Sequence, residues 1–153
     1  MRSYTCCFAG HRDVGNDSEY IEMKLTEILE SLINRGVIYF GTGGARGFDT
    51  IAALTVLKMK RYYPQIKLIL VLPCKNQTKG WNKSDIIKYD YVISAADKVR
   101  ILSENYNDGC MLQRNLHLIK HSSICVCYKR KDVGGTAYTV RQALKYGLEV
   151  VEI

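Results

Sequence analysis

The sequence has no long apolar run, no low-complexity tract, no internal repeat and no proline-rich linker; proline occurs only 2 times in 153 residues. Its longest apolar stretch, Leu68 to Pro73, falls far short of the roughly 20 residues that a membrane-spanning helix needs. The amino-terminal MRSYTCCFAG lacks the basic region and long apolar segment of a secretory signal. A soluble cytoplasmic protein with no membrane partner is therefore expected. Without repeats or linkers, residues 1–153 read as a single domain, large enough to bury roughly two thirds of its unfolded surface. Hydrophobic content of 47% with 24% charged residues fits an ordinary globular chain and not a disordered one.

Metal-ligand spacing is also missing, although 6 cysteines are present. Cys6 and Cys7 are neighbours in one apolar run, and Cys125 and Cys127 alternate in another, which suits core thiols better than a disulfide framework. His117 and His121 share a helical face but lack a third ligand. No metal and no cofactor are expected. The net charge of +7 attracts anions. The basic residues are dispersed, with modest clusters at Lys58, Lys60 and Arg61 and at Lys129, Arg130 and Lys131, as on any solvated surface. Nucleic acid stays open as a partner, because dispersed positions can converge in space.

What the sequence does have is alternation. Six short β-rich runs, Tyr4 to Ala9, Val37 to Gly41, Lys67 to Leu72, Lys98 to Ser103, Ile124 to Tyr128 and Glu149 to Ile153, alternate with five helical patterns. This order predicts an α/β fold, a Rossmann-like three-layer αβα sandwich with a mainly parallel sheet of about six strands. Most of the strands are apolar on both faces, as expected when helices cover both sides. Ile21, Leu25, Ile28, Leu29, Leu32 and Ile33 fall at helical spacing, with Ser18 as the expected cap and Gly36 after the end. Further helices are predicted from Phe48 or Asp49 to about Lys58, from Ser84 to Ala96, from Met111 to Lys120 and from Thr136 to Tyr146.

In an open parallel sheet, ligands bind beyond the carboxyl ends of the strands, and the loops expected there carry the unusual residues. Gly10-His11-Arg12 follows the first strand and Gly41-Thr42-Gly43-Gly44-Ala45-Arg46-Gly47-Phe48-Asp49 the second. Asn107-Asp108-Gly109 leads toward Arg114 and Asn115, and Asp132-Val133-Gly134-Gly135-Thr136 follows the fifth. Glycine allows close approach of the backbone to a ligand, and the free N–H groups at a helix start favour phosphate. Gly134-Gly135-Thr136 thus fits a phosphate cradle, although an ordinary tight turn explains the triplet taken alone. The loop after the second strand is not a GxGxxG fingerprint, since its third glycine falls on Arg46, and it lacks the GK[ST] ending of a Walker motif.

Three blocks, Gly43-Gly44-Ala45-Arg46-Gly47-Phe48-Asp49, Met111-Leu112-Gln113-Arg114-Asn115 and Gly134-Gly135-Thr136-Ala137-Tyr138-Thr139, resemble in order and spacing the signature segments of the SLOG superfamily, which joins Lonely-guy phosphoribohydrolases with DNA-processing protein A. The start Cys7-Phe8-Ala9-Gly10-His11-Arg12 is similar to its YpsA-like branch of bacterial proteins. The resemblance implies a pocket for a nucleotide or nucleotide-derived, ADP-ribose-like ligand. Within it lie Gly43, Gly44, Arg46, Arg114, Gly135 and Thr136, with Gly10, His11, Arg12, Gly47, Asp49, Asn115 and Gly134 on the same loops. Arg46 and Arg114 are expected to act as anion clamps through their planar forks of donors.

Binding or sensing is the function expected first. A nucleotide N-glycosidase is the first alternative, but Lonely-guy enzymes carry a glutamate where this chain has Thr139, and a cationic sugar transition state calls for a carboxylate. The catalytic residues therefore stay unassigned; Asp49, Glu104, Asp108 and Asp132 lie near the same edge. Single-stranded DNA binding, as in DNA-processing protein A, is the second alternative, with the net charge in its favour. A homodimer is expected because related proteins commonly pair.

Overall fold

The computed structural model describes residues 2–153, and its elements follow from the hydrophobic pattern. They run β1 (Thr5–Gly10), α1 (Ser18–Asn34), β2 (Tyr39–Thr42), α2 (Phe48–Lys60), β3 (Lys67–Leu72), α3 (Lys83–Ala95), β4 (Lys98–Ile101), α4 (Cys110–Lys120), β5 (Ile124–Tyr128), α5 (Gly135–Lys145) and β6 (Glu149–Glu152), after one 3₁₀ turn at Arg2–Tyr4. All strand pairs are parallel, in the order β4-β3-β2-β1-β5-β6. This is the Rossmann-like α/β sandwich that the alternation predicts.

Strand alternation divides the core into two layers. Cys6 and Phe8 face a large cluster with Leu25, Leu29, Phe40 and Phe48, beneath α1, α2 and α3. Cys7 and Ala9, one residue out of phase, face a smaller cluster with Leu118, Ile119, Cys125 and Val140, beneath α4 and α5. Side chains on a strand point alternately to opposite faces, so one run of apolar residues serves both layers. All 6 cysteines are buried and free. Burial pushes the Cys127 thiol up to about 12, which keeps it protonated and unreactive at neutral pH. Among the described residues no group of 3 or more His, Cys, Asp and Glu could hold a metal ion, and no helix is long and apolar enough to cross a membrane.

Several local expectations change, β2 among them, which starts at Tyr39 and not Val37. Ser18 is the first residue of α1 and does not cap it; Asp17 occupies the cap position, without a side-chain cap bond. Asp17 has φ −87° and ψ 3° instead of extended cap backbone, and its carboxylate accepts a hydrogen bond from the Tyr128 hydroxyl. The fourth strand stops at Ile101 and not Ser103, because β4 pairs with β3 alone and β3 ends at Leu72, opposite Ile101.

The topology sets where a ligand can enter. From β1 the chain steps outward through β2, β3 and β4, then returns across the sheet to place β5 on the other side of β1. Loops after β1 and β5 therefore diverge and leave a crevice between them, the switch point of a doubly wound sheet.

Candidate functional site

A cleft of about 550 Å³ lies at that switch point, lined by the end of β1, the loop after β5 and the first turns of α4 and α5. Four of the sequence segments meet there: Gly10, His11 and Arg12; Asp49; Arg114 and Asn115; and Gly134, Gly135 and Thr136.

His11 fastens the cleft's two sides. Its carbonyl accepts from the Phe48 N–H at 3.0 Å, which ties the β1 loop to the start of α2. Its Nε2 accepts from the Arg130 N–H at 2.9 Å. A backbone N–H can only donate, so neutral His11 carries its proton on Nδ1. That nitrogen lies 3.4 Å from Thr136 Oγ1, and its proton points to the hydroxyl oxygen, leaving the Thr136 proton free for another acceptor. Burial, followed by the nearby Lys131 and Arg130 charges, lowers the His11 pKa, so the neutral tautomer is the resting form.

Thr136 stands in the first turn of α5, where the cap residue is Gly134 with φ 98° and no side-chain cap bond. Helix starts expose N–H groups and a partial positive charge. A Cβ added at Gly135 would meet nothing within 4 Å, so the backbone is open to the cleft. Arg12, Arg130 and Lys131 add positive charge to the same walls. Arg130 is itself held, donating to the Ile153 carbonyl at 2.7 Å with its guanidinium carbon 4.2 Å from the Tyr128 ring centroid. Lys131, Arg130 and Tyr128 were not singled out from sequence as site residues; the signal that could have found them is the basic run placed directly after β5, at the switch point.

The second arginine behaves differently from the anion clamp expected of it. Arg114 borders the cleft but is only 4% exposed. Its Nε donates to Asn115 Oδ1 at 2.7 Å, and its Nη1 donates to the Gly43 carbonyl. Beside it, the buried Asp49 carboxylate accepts from the Ala45 N–H at 3.2 Å. Burial pushes the Asp49 carboxyl up while Arg114 and the Ala45 N–H pull it back. Asp49 is thus a loop brace and not the cap of α2, whose cap position is Gly47. Thr139, at the position where a glutamate would stand in a Lonely-guy enzyme, donates to the Gly135 carbonyl at 2.9 Å and accepts from Asn115 Nδ2 at 3.1 Å. Its hydroxyl joins α4 to α5.

Gly43, Gly44 and Gly47 do not line the cleft. Their glycine requirement comes from the protein itself: a Cβ at Gly43 would strike the Arg114 guanidinium, and one at Gly47, where φ is 72°, would strike the Arg12 carbonyl. The loop they form supports Ala45 and Arg46. Arg46 and Arg114 are not brought to one site, for Arg46 lines a neighbouring groove of about 460 Å³ that shares Arg12, Ala45 and Met111 with the cleft. In that groove the Arg46 guanidinium carbon lies 5.5 Å from the Trp81 ring centroid, and Trp81 meets Tyr89 edge-on at 5.3 Å. Tyr106 also lines it, whereas Asn82 caps α3 by accepting from the Asp85 N–H at 2.8 Å.

The sequence profile of the YspA SLOG family matches residues 3–150. Among individual proteins, the chain is similar to the uncharacterized SPbeta prophage-derived protein YoqJ of Bacillus subtilis strain 168, with 30% identity over 135 residues, 80% of this chain and 79% of that protein. It is also similar to a UPF0398 protein of Halalkalibacterium halodurans, with 29% identity over 129 residues, 82% of this chain and 68% of that protein. Among solved structures, DNA processing protein A from Streptococcus pneumoniae superposes with a TM-score of 0.72 at 18% identity, covering 98% of this chain and 50% of that one. DNA processing protein A from Helicobacter pylori, whose structure describes its single-stranded DNA binding mode, gives 0.66 at 20% identity over 99% of this chain and 65% of that one. The chain thus spans half to just under two thirds of these structures, and the likeness is one of fold. By sequence, the chain belongs to the YspA SLOG family.

Proposed function

We propose that this member of the YspA SLOG family binds a nucleotide or nucleotide-derived ligand, ADP-ribose-like molecules included, with an anionic group seated over the start of α5. The observation that carries this reading is the α5 start itself. It has no side-chain cap, open space over Gly134 and Gly135, and Arg12 and Lys131 on the surrounding walls. An uncapped helix start facing a cationic cleft favours phosphate. The remaining Thr136 proton, freed by the His11 tautomer, supplies a directed donor.

The reading stops at binding. Hydrolysis of an N-glycosidic bond would call for a carboxylate near the sugar; position 139 supplies only a hydroxyl, engaged on both sides, and the two carboxylates on the cleft wall hold their own loops, Asp13 through the Gly15 N–H and Asp49 through the Ala45 N–H. Thermal denaturation with a panel of nucleoside monophosphates, diphosphates and ADP-ribose tests the proposal. A ligand at a hundred times its dissociation constant adds about 2.7 kcal/mol of stability, and a panel with no shift at all contradicts it.

A second reading, single-stranded DNA binding, draws on the groove beside the cleft, where Trp81 and Tyr106 stand among Arg46, Lys79 and Arg12. Aromatic platforms beside cations are the usual means of holding unpaired bases. An oligonucleotide gel shift that weakens steeply with salt would favour it; binding insensitive to oligonucleotide length beyond one nucleotide would return the assignment to a small ligand.

A further inference from the structure

We infer that the groove lined by Arg46, Gln77 and Trp81 is the nucleobase subsite of the same binding site, so that the ligand is a nucleoside phosphate and not a sugar phosphate or other simple anion. This rests on the reading of the cleft as an anion site and extends it to the other end of the molecule bound.

Three observations converge on the groove. It adjoins the cleft, with Arg12, Ala45 and Met111 as common walls, so a ligand anchored at α5 has the groove beside it. It offers a flat, fixed surface: Trp81 packs against the core, stands at 85° to Tyr89, and already carries a planar cation, the Arg46 guanidinium, near its ring. Guanidinium and indole planes are both surfaces on which a base stacks.

The third observation is the most unusual. Gln77 lines the groove at 6% exposure, and neither its amide nitrogen nor its amide oxygen has a hydrogen-bond partner; Arg46 Nε is buried and unpartnered as well. Buried polar atoms are nearly always paired. The Tyr89 phenol lies close enough for the Gln77 amide to pull its pKa down against the rise that burial imposes, yet no hydrogen bond of normal geometry joins them. A turn of the Gln77 amide toward the groove would cost no hydrogen bond of normal geometry. A donor beside an acceptor is what the edge of every nucleobase presents, and a primary amide complements it in two contacts. Ribose and phosphate alone would leave both the aromatic surface and this amide unused. Among the described side chains that line the groove there is no carboxylate; the anionic part sits in the cleft, where Arg12, Arg114, Arg130 and Lys131 outnumber Asp13 and Asp49.

The chain has 1 tryptophan, so its intrinsic fluorescence reports Trp81 directly. The test titrates wild type with the four ribonucleoside monophosphates and with ribose 5-phosphate, following Trp81 emission and the melting temperature together. At least one nucleotide is expected to quench Trp81 and raise the melting temperature, with ribose 5-phosphate raising the latter at higher concentration and leaving emission unchanged. Gln77→Met should weaken that nucleotide about fivefold, the scale of a neutral hydrogen bond. It should leave the ribose 5-phosphate response as it was and should hold or raise the unliganded melting temperature, since it replaces a buried, unpaired amide with an apolar side chain. Trp81→Ala, read by melting temperature, should weaken the nucleotide about tenfold or more.

Equal shifts from nucleotides and ribose 5-phosphate without quenching would overturn the base subsite and leave the anion site standing. No response to either would overturn both. Quenching by an oligonucleotide but by no mononucleotide would overturn the proposal in favour of a strand-binding groove.

Discussion

Two glycine-rich loops sit at the same edge of the sheet and do opposite work. In the loop after β2, the missing Cβ atoms make room for the protein: Gly43 admits the Arg114 guanidinium, and Gly47 admits the Arg12 carbonyl. In the loop before α5, added Cβ atoms at Gly134 and Gly135 would meet nothing. One loop is full and the other is open. Glycine content alone does not mark a ligand site; what occupies the space a side chain would take does.

The sharpest way to break this contrast is to attack the full loop through its partner. Arg114→Ala should destabilise the fold by about 3–5 kcal/mol, because it strips the counter-charge from buried Asp49 and the donors from the Gly43 carbonyl and Asn115. Denaturant midpoints measure this, and a cost under about 1 kcal/mol would mean the loop does not depend on Arg114. Gly43→Ala comes next, at about 3 kcal/mol, since its Cβ meets a buried, hydrogen-bonded guanidinium that cannot easily move. Gly135→Ala, in the open loop, should change stability by no more than about 0.5 kcal/mol. If Gly43→Ala and Gly135→Ala cost the same, the distinction between the loops fails.

A smaller effect sharpens the account of how the open loop is held. His11 accepts from Arg130 only when its Nε2 is unprotonated, and its pKa is lowered from 6.5. The folded chain therefore binds this proton less readily than the unfolded chain. The stabilisation it gives is fully present above the unfolded value and is lost as pH falls from about 6.5 through the folded-state value. His11→Gln should flatten that part of the stability curve. His117, whose pKa burial also lowers, stays in both proteins and cancels in the difference. Superimposable wild-type and variant curves down to about pH 5 would contradict the fixed tautomer.

Much of the fold was legible in the chain. The helix pattern from Ile21 to Ile33 became the buried face of α1, and the doubly apolar run at Ile124 to Tyr128 became the fully buried β5. These follow from local periodicity, which a sequence displays directly. Strand order and the switch point, which decide that the loops after β1 and β5 meet, follow from pairing at long range. The loops' roles were harder to read for the same reason. Arg46 and Arg114 look alike as exposed fork donors until α4 packs Arg114 beneath Gly43 and the β2 loop carries Arg46 over Trp81. Gln77 gave no signal in sequence, because a glutamine becomes informative only when burial leaves its amide unpaired. Lys131 was visible as charge but had no address until β5 was placed beside β1.

The central claim, that an anionic group of the ligand sits over the open start of α5, is tested most directly by Gly135→Asp. The new Cβ meets nothing, and a carboxylate in the first helical turn is favourable to the helix by about 0.3–1 kcal/mol, so the fold should be as stable as wild type or slightly more so. The same carboxylate would occupy and neutralise the cradle. Calorimetric titration with the nucleotide that stabilises wild type should then show binding reduced by at least about a hundredfold, the scale of a lost charge-assisted contact compounded by like-charge repulsion. A Gly135→Asp protein that binds this nucleotide with wild-type affinity would contradict the account.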